Sequence, residues 1–466
     1  MKKALLLLAA AAACAIALPA TAARNKTLKG SGRIVTETRD VGSFHAVEAG
    51  SIAHVLVGDY PAGRVTVKTD DNLLVHVQTS VAEGTLRIGL ADVTVQNAEL
   101  TVYVPAAGIT RLDAKGIAAF SLETPLAGIT GLKAGGAAKI TAEHPLQTND
   151  AAIEASGTAH IAVEAMTGTL ERISATGGSE IELKGQPAGA DAAIETSGTA
   201  HIAVEAMTGT LERISATGGS VIELKGQPAG ADAAIETNGT AHIAVDAMTG
   251  SLERISATGG SVIELKGQPA GADAAIETNG TAHIAVDAMT GSLERISATG
   301  GSVIELKGQP AGADAAIETS GTAHIAVEAM MGSLERISAT GGSEIKLKST
   351  ATGRAIELRA SGTSRLVCNG ELLCDDASIE SSGAARITTR VKCTECRIES
   401  SGTSATQVSL DATSLHAESS GGAGMTLAGT TRACRIVAGG TSRIDATGLK
   451  SEQWDTTVGK YSALKR

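Results

Sequence analysis

One glycine returns every 19 to 21 residues through most of this chain. It falls at Gly116, Gly136, Gly157, Gly177, Gly198, Gly218, Gly239, Gly259, Gly280, Gly300, Gly321, Gly341, Gly362, Gly383, Gly402, Gly421 and Gly440. A stricter period lies inside that frame. Residues 150–190 read DAAIEASGTAHIAVEAMTGTLERISATGGSEIELKGQPAGA, and near-copies begin at Asp191, Asp232, Asp273 and Asp314, a period of 41 residues. Each unit is itself two related halves. AIEASGTAHIAVE parallels RISATGGSEIELK: an apolar residue, a glycine four positions later, then two apolar residues at alternate positions. Such repetition marks a chain whose units fold by stacking on one another.

Within a half-unit the pattern has period two. Ile153, Ala155, Ala159, Ile161 and Val163 point one way, and Glu154, His160, Ala162 and Glu164 the other. That is the chemistry of strands with one buried and one wet face. Ser156-Gly157 joins the two short strands, and glycine there allows a bend with positive φ. The Gln-Pro-Ala-Gly segments, such as 186–189, are predicted turns. Ordering one coil of about 20 residues costs on the order of 30 kcal/mol. Burying three large aliphatic side chains returns about 5–9 kcal/mol. A lone coil therefore cannot fold, and the coils must stack. The predicted fold is all-β: a parallel β-solenoid (β-helix) of about 17 coils, roughly 80 Å long at the inter-strand spacing of about 4.8 Å. Aromatic residues are only 1% of the chain, so the core is thin and filled by Ile, Val, Leu and Ala.

The expected organisation runs as follows. Residues 1–23 read as a secretory signal: Lys2 and Lys3, an apolar stretch over 5–17, and an Ala20-Thr21-Ala22 cleavage site. Cys14 after three alanines is a weak lipidation alternative. Residues 24–105 hold strands at 65–67, 86–88 and 100–104 and form an N-terminal β cap. Diverged coils occupy 106–149, five tandem units 150–354, and diverged Cys-containing coils 355–450. Residues 451–466, with Trp454, are expected to cover the last coil. No segment after the signal is long and apolar enough to span a membrane. Export leads to the periplasm, the cell surface or the medium. Without the signal, 37 basic and 50 acidic residues leave a net charge of about −13. That opposes nucleic-acid binding.

Candidate chemistry is sparse. Seven residues after each glycine come Glu164, Lys184, Glu205, Lys225, Asp246, Lys266, Asp287, Lys307, Glu328 and Lys348, strictly alternating in sign. In a stack this column sets register, because a slip by one coil opposes like charges. His160, His201, His242, His283 and His324 recur every 41 residues on the outer face. They occupy every second coil, about 10 Å apart. Two such imidazoles cannot share a metal, so no cofactor or metal is expected. The carboxylates are spread along the stack, and Asp70-Asp71 and Asp375-Asp376 are expected in solvated turns. No catalytic constellation stands out, so the chain is read as no enzyme; a β-helix lyase or hydrolase acting on polysaccharide is the alternative. An ice-binding role lacks its Thr ranks, since Thr158 and Thr199 alternate with Gly178 and Gly219. Five cysteines cluster late: Cys368, Cys374, Cys393, Cys396 and Cys434. Counted back from the next glycine, Cys374 and Cys393 share a place in adjacent coils and form the disulfide candidate; counted forward, Cys374 approaches Cys396 instead. Cys368 takes an inward place equivalent to Val163.

The opening of the chain resembles a known family. Gly30-Ser31-Gly32-Arg33-Ile34 through Phe44, then 47–55, Thr69-Asp70-Asp71-Asn72-Leu73-Leu74 and Gly84-Thr85-Leu86-Arg87-Ile88 resemble the autotransporter adhesin, head GIN domain family; the later S-G-x-A coils resemble its solenoid part. The resemblance implies an exported β-solenoid with no catalytic residues to carry over. Residues 451–466 are too short for the membrane barrel that the family name suggests. The expected function is a surface or periplasmic adhesin or scaffold. Its partner would be a repetitive surface glycan, matrix or another copy of the rod, met through weak multivalent contacts.

Overall fold

The computed structural model describes residues 26–466 apart from Asp92. The expected signal, 1–23, and Cys14 lie outside the described residues. The chain winds as a parallel β-solenoid. Among the described residues there is no α-helix, only a 3₁₀ turn at Leu74–His76. All seventeen frame glycines have φ between 64° and 83°. Ser51, with φ 60°, makes the same bend one coil earlier, giving eighteen turns. Ala46–Ala49 and His54–Gly58 stack under Arg111–Ala114 and Ala119–Leu122, so the first coil already lies within the N-terminal region. Around it, Ile34–Asp40 runs antiparallel to Arg64–Asp70, and Val77–Ala82 antiparallel to Thr85–Leu90.

Each coil has three flanks. In one coil, residues 152–155 form the first, 160–163 the second and 166–170 the third. Equivalent residues stand over one another: Ile153 faces Ile173, Ile161 faces Ile181, and Val163 faces Leu183. All six are buried to within 1%. Each large aliphatic side chain so buried stabilises by about 1.5–3 kcal/mol. Interior hydroxyls near the bend pair off, as Thr196 with Ser220 and Thr237 with Ser261, both at 2.8 Å, which removes the cost of burying them unpaired.

The third flank corrects one expectation and explains the 41-residue period. Residues 186–189 are not a turn. They pair in parallel with 167–170, Gly168 opposite Pro187 and Leu170 opposite Gly189. Proline lacks an N–H but keeps its carbonyl, and Pro228 accepts the Thr249 N–H at 3.0 Å. Large and small residues alternate here from coil to coil. Met166 stands against Gly185, Met207 against Gly226, and Leu211 against Gly230. A Cβ on Gly185 would lie 2.4 Å from the Met166 nitrogen. The Met248 methyl lies 3.3 Å from where a Gly230 Cβ would stand. Bulk from one coil fills the space that the glycines of the next leave open. Within the five units this alternation makes two coils the structural repeat, whereas outside them large residues stack directly, Leu146 on Met166 and Leu372 on Val391.

Removing one unit, residues 191–231, should therefore leave the melting transition nearly unchanged, because the new junction repeats a native one. Removing a single coil, residues 211–232, brings two methionine-bearing coils together and sets Glu205 near Asp246. It should lower the midpoint clearly. Calorimetry on the two deletions decides it; equal melting would refute the alternation.

Two further expectations change. Asp70 is not solvated: it is 2% exposed and accepts the Gly32 N–H at 2.7 Å and the Glu99 N–H at 3.1 Å. Asp71 accepts the Ser31 hydroxyl at 2.6 Å, and the Asn72 side-chain Oδ1 accepts the Ser31 N–H at 3.1 Å. The Asp-Asp-Asn run clasps the Gly-Ser-Gly run. Residues 451–466 do not lie across the end of the stack. They continue it, Arg443–Val458 on Gly424–Ala438 and Ala463–Lys465 on Arg443–Asp445. Trp454 takes the place above Cys434.

Candidate functional surface

The second flank carries the predicted columns. His160, Glu180, His201, Val221, His242, Val262, His283, Val303, His324 and Glu344 stand in register. His160 Nδ1 lies 3.0 Å from Glu180 Oε2, and His324 Nδ1 lies 3.1 Å from Glu344. His242 and His283 instead have valine in the coils on both sides. Among the described residues, no group of three or more His, Cys, Asp or Glu is arranged to hold a metal ion.

In the alternating column, four of the five pairs close. Lys184 reaches Glu164 at 2.9 Å, Lys266 reaches Asp246 at 3.0 Å, Lys307 reaches Asp287 at 2.9 Å and Lys348 reaches Glu328 at 3.2 Å. Glu205 and Lys225 do not close a bridge among the described residues. Hydrogen bonds to the carboxylates hold Lys184, Lys266 and Lys307 above the ordinary lysine range. These side chains are about half exposed, so the column contributes register more than stability.

The first flank has ion pairs that the sequence reading missed. Arg172 bonds Glu195 at 2.6 Å, Arg213 bonds Glu236 at 2.9 Å, Arg254 bonds Glu277 at 3.0 Å and Arg295 bonds Glu318 at 2.9 Å. Arg172 faces Ala193, whose small side chain lets the guanidinium lean across to Glu195. The signal was available, since Arg and Glu fall at fixed places in opposite half-units. Reading it required the inter-coil register.

The corner between the third and first flanks was also missed. Asp150, Glu171, Asp191, Glu212, Asp232, Glu253, Asp273, Glu294, Asp314 and Glu335 follow one another there, and all are exposed. None closes a salt bridge among the described residues. The five aspartates adopt φ between 44° and 54°, in the left-handed region that Asp tolerates better than most residues. Asp191 N–H donates to Thr210 Oγ1 at 2.9 Å, and Asp232 N–H to Ser251 Oγ at 2.8 Å. These bonds to the following coil hold the corner. The result is a row of ten acidic residues, roughly 40 Å long at the coil spacing.

The diverged coils differ. A first-flank cleft of about 580 Å³ is lined by Glu335, Glu357, Asp376, Glu395, Arg397 and His416. Asp376 and Glu395 face each other in adjacent coils. All five described cysteines are free thiols. The Cys374 N–H donates to the Lys392 carbonyl at 3.0 Å, which sets Cys374 beside Cys393. Cys393 thus stands between Cys374 of the preceding coil and Cys396, three residues further along the chain. The hydrogen bond to Cys393 and burial push the Cys374 thiol well up. For Cys393 the bond from Cys374 pulls down, but the bond with Cys396 and burial prevail and raise it to about 12. Cys368 stands over Leu347 in the Val163 column, and burial pushes it up to about 12. Cys396 and Cys434 are separated by Leu415.

The family model described as "Putative auto-transporter adhesin, head GIN domain" matches residues 43–203, 321–409 and 374–459. No curated protein matches the chain. Among solved structures, the chain is similar to a "putative adhesin" of Parabacteroides merdae, with 14% identity, 66% of this chain and 96% of that one covered, and a TM-score of 0.27. It is similar to a "putative adhesin" of Bacteroides fragilis, with 15% identity, 54% and 99% covered, and a TM-score of 0.27. It is also similar to a "putative lipid binding protein" of Parabacteroides distasonis, with 14% identity, 67% and 99% covered, and a TM-score of 0.22. The family match spans more than half of the chain and includes the Asp70-Asp71-Asn72 run, the first coil and the diverged coils. The chain belongs to the auto-transporter adhesin, head GIN domain family.

Proposed function

We propose that the chain is an exported, non-enzymatic adhesin or scaffold that makes many weak contacts with a repetitive partner. One observation carries this reading: five units present the same outward groups, repeated about every 10 Å along the stack. These are the His column, the Lys–carboxylate column, the Arg–Glu pairs and the acidic ridge. A weak site copied five times gains avidity only against a ligand that is itself repetitive, by as much as 10²–10⁴-fold. A surface glycan, a matrix polymer or another copy of the rod meets that requirement. The unpaired ridge favours a ligand that carries positive charge, and such binding weakens with salt.

The test is a series of rods with five, four, three and two units, each checked for folding and then assayed on cells or matrix. Binding should fall steeply with each unit removed. A two-unit rod that binds as tightly as the five-unit rod makes the repeats a spacer and moves any adhesive site to the diverged coils or the N-terminal region. Protease shaving of intact cells separates surface from periplasmic placement.

A second reading rests on the first-flank cleft, where Glu357, Asp376, Glu395 and Arg397 converge. Paired carboxylates are what polysaccharide cleavage uses. Cleavage of an acidic or neutral glycan by the intact protein, lost in Glu395→Gln, would establish it in place of the adhesive reading.

A further inference from the structure

We propose that Cys374, Cys393 and Cys396 form a thiol–disulfide exchange site that takes a small soluble disulfide. Cys374 and Cys393 are half-buried and line a shallow groove of about 350 Å³ with Lys392, Thr394, Asp411, Ala412 and Thr413. The groove is open to solvent, so a small molecule reaches both sulfurs. Adjacent coils stand about 4.8 Å apart, inside the Cα span of roughly 4.4–6.8 Å that a disulfide bridges. Cys396, 3% exposed, is three residues further along the chain, in register between Ala377 and Leu415. Cys393 is the hub, beside Cys374 of the adjacent coil and three residues from Cys396 on its own strand. A disulfide uses two sulfurs, so the third thiol stays beside the bond and able to attack it.

The chemistry balances with the soluble disulfide as oxidant. Cys374, as thiolate, attacks one sulfur of R–S–S–R; that bond breaks and one R–S⁻ leaves, taking up the proton that Cys374 lost. Cys393 then attacks the Cys374 sulfur of the mixed disulfide and displaces the second R–SH. Two protein thiols are oxidised, and one soluble disulfide is reduced to two thiols. Cys396 next attacks Cys393 Sγ. The Cys374–Cys393 bond breaks and Cys374 returns as a thiol at the groove, with no net oxidation. The thiolate is the attacking form. Since Cys374 and Cys393 hold their protons firmly, exchange is slow at neutral pH and quickens as pH rises.

The probe is oxidised glutathione, added to the reduced full-length protein at neutral and alkaline pH. Free thiols are then alkylated, and the protein is digested with trypsin without reduction. Cleavage after Arg365, Arg386, Lys392 and Arg397 leaves Cys368 and Cys374 on peptide 366–386, where fragment masses tell them apart, and both Cys393 and Cys396 on peptide 393–397. The expected products are a cross-link between those two peptides and a fraction of 393–397 closed by an internal disulfide. Cys434 should stay alkylated. Cys374→Ser should remove the cross-link and leave only the internal disulfide. Cys396→Ser should leave only the cross-link, with Cys396→Ala as the second variant if serine disturbs the core; circular dichroism checks that each variant stays folded. The proposal is overturned if Cys374 remains fully alkylatable. It is equally overturned if Cys374 links to Cys434, or if no internal disulfide appears in either the unaltered protein or Cys374→Ser.

Discussion

Gly218→Ala should destabilise the rod by about 3 kcal/mol or more, while the same change at Gly219, its neighbour in the chain, should cost almost nothing. Gly218 has φ +80°, and a Cβ there would lie 2.6 Å from the Gly198 carbonyl oxygen. The left-handed conformation alone costs a side chain about 1–2 kcal/mol. The collision is with backbone of the coil below, which moves only by opening the ladder, at about 1–3 kcal/mol more. At Gly219 a Cβ would meet nothing closer than Thr240 Oγ1 at 3.5 Å, and φ lies outside the left-handed region. Alanine there restricts the unfolded chain and can stabilise by about 0.4–1 kcal/mol. Denaturant unfolding of the two variants is the measurement. Equal losses would mean that the bend tolerates a side chain and that glycine recurs for another reason. Ser51 fits the account: it makes the first bend, where no earlier glycine bend lies beneath it, and its side chain is tolerated.

The second large effect is expected at the N-terminal clasp. Asp70→Ala should lower stability by about 2–5 kcal/mol, since it strands two backbone donors, each costing about 1–3 kcal/mol when left unmade. The donors are the N–H groups of Gly32 and Glu99, at 2.7 and 3.1 Å. Gly30 makes the fit tight, because a Cβ on it would lie 2.4 Å from the Asn97 carbonyl oxygen and 2.8 Å from Asp70 Oδ2. Asp71→Ala should cost far less, because its partner, the Ser31 hydroxyl, is exposed and water replaces it. Limited proteolysis near residue 30 would report the released strand. If both variants unfolded alike, Asp70 would be no more than a surface acid.

The resemblance to a family rested on the same Gly-Ser-Gly and Asp-Asp-Asn runs, read as a pattern with no reason attached. The structure supplies the reason, and it reverses the expectation that Asp70 is solvated. Residues 38 apart in the chain form the clasp, and no local signal pairs them. A lone Asp-Asp in a polar run looks like a turn because turns favour such residues. Burial here depends on where the returning strand lies.

The chain's own sequence was enough to determine the stacking, the coil length, the inward faces and the place of the bend. Each rests on a short-range rule: period two for a half-buried strand, glycine for positive φ, and a core too small for one coil alone. The histidine and alternating charge columns followed from the same count, because in a parallel stack equal position in the coil means vertical neighbours. Only the tertiary structure decided the third flank, where Met166 meets Gly185 and Leu211 meets Gly230. It also decided the diagonal pairs such as Arg172–Glu195, and that Cys374 stands beside Cys393 and not Cys396 in the adjacent coil. These depend on how a side chain leans across to the next coil. That is a matter of shape between segments about twenty residues apart, and neither segment carries it alone.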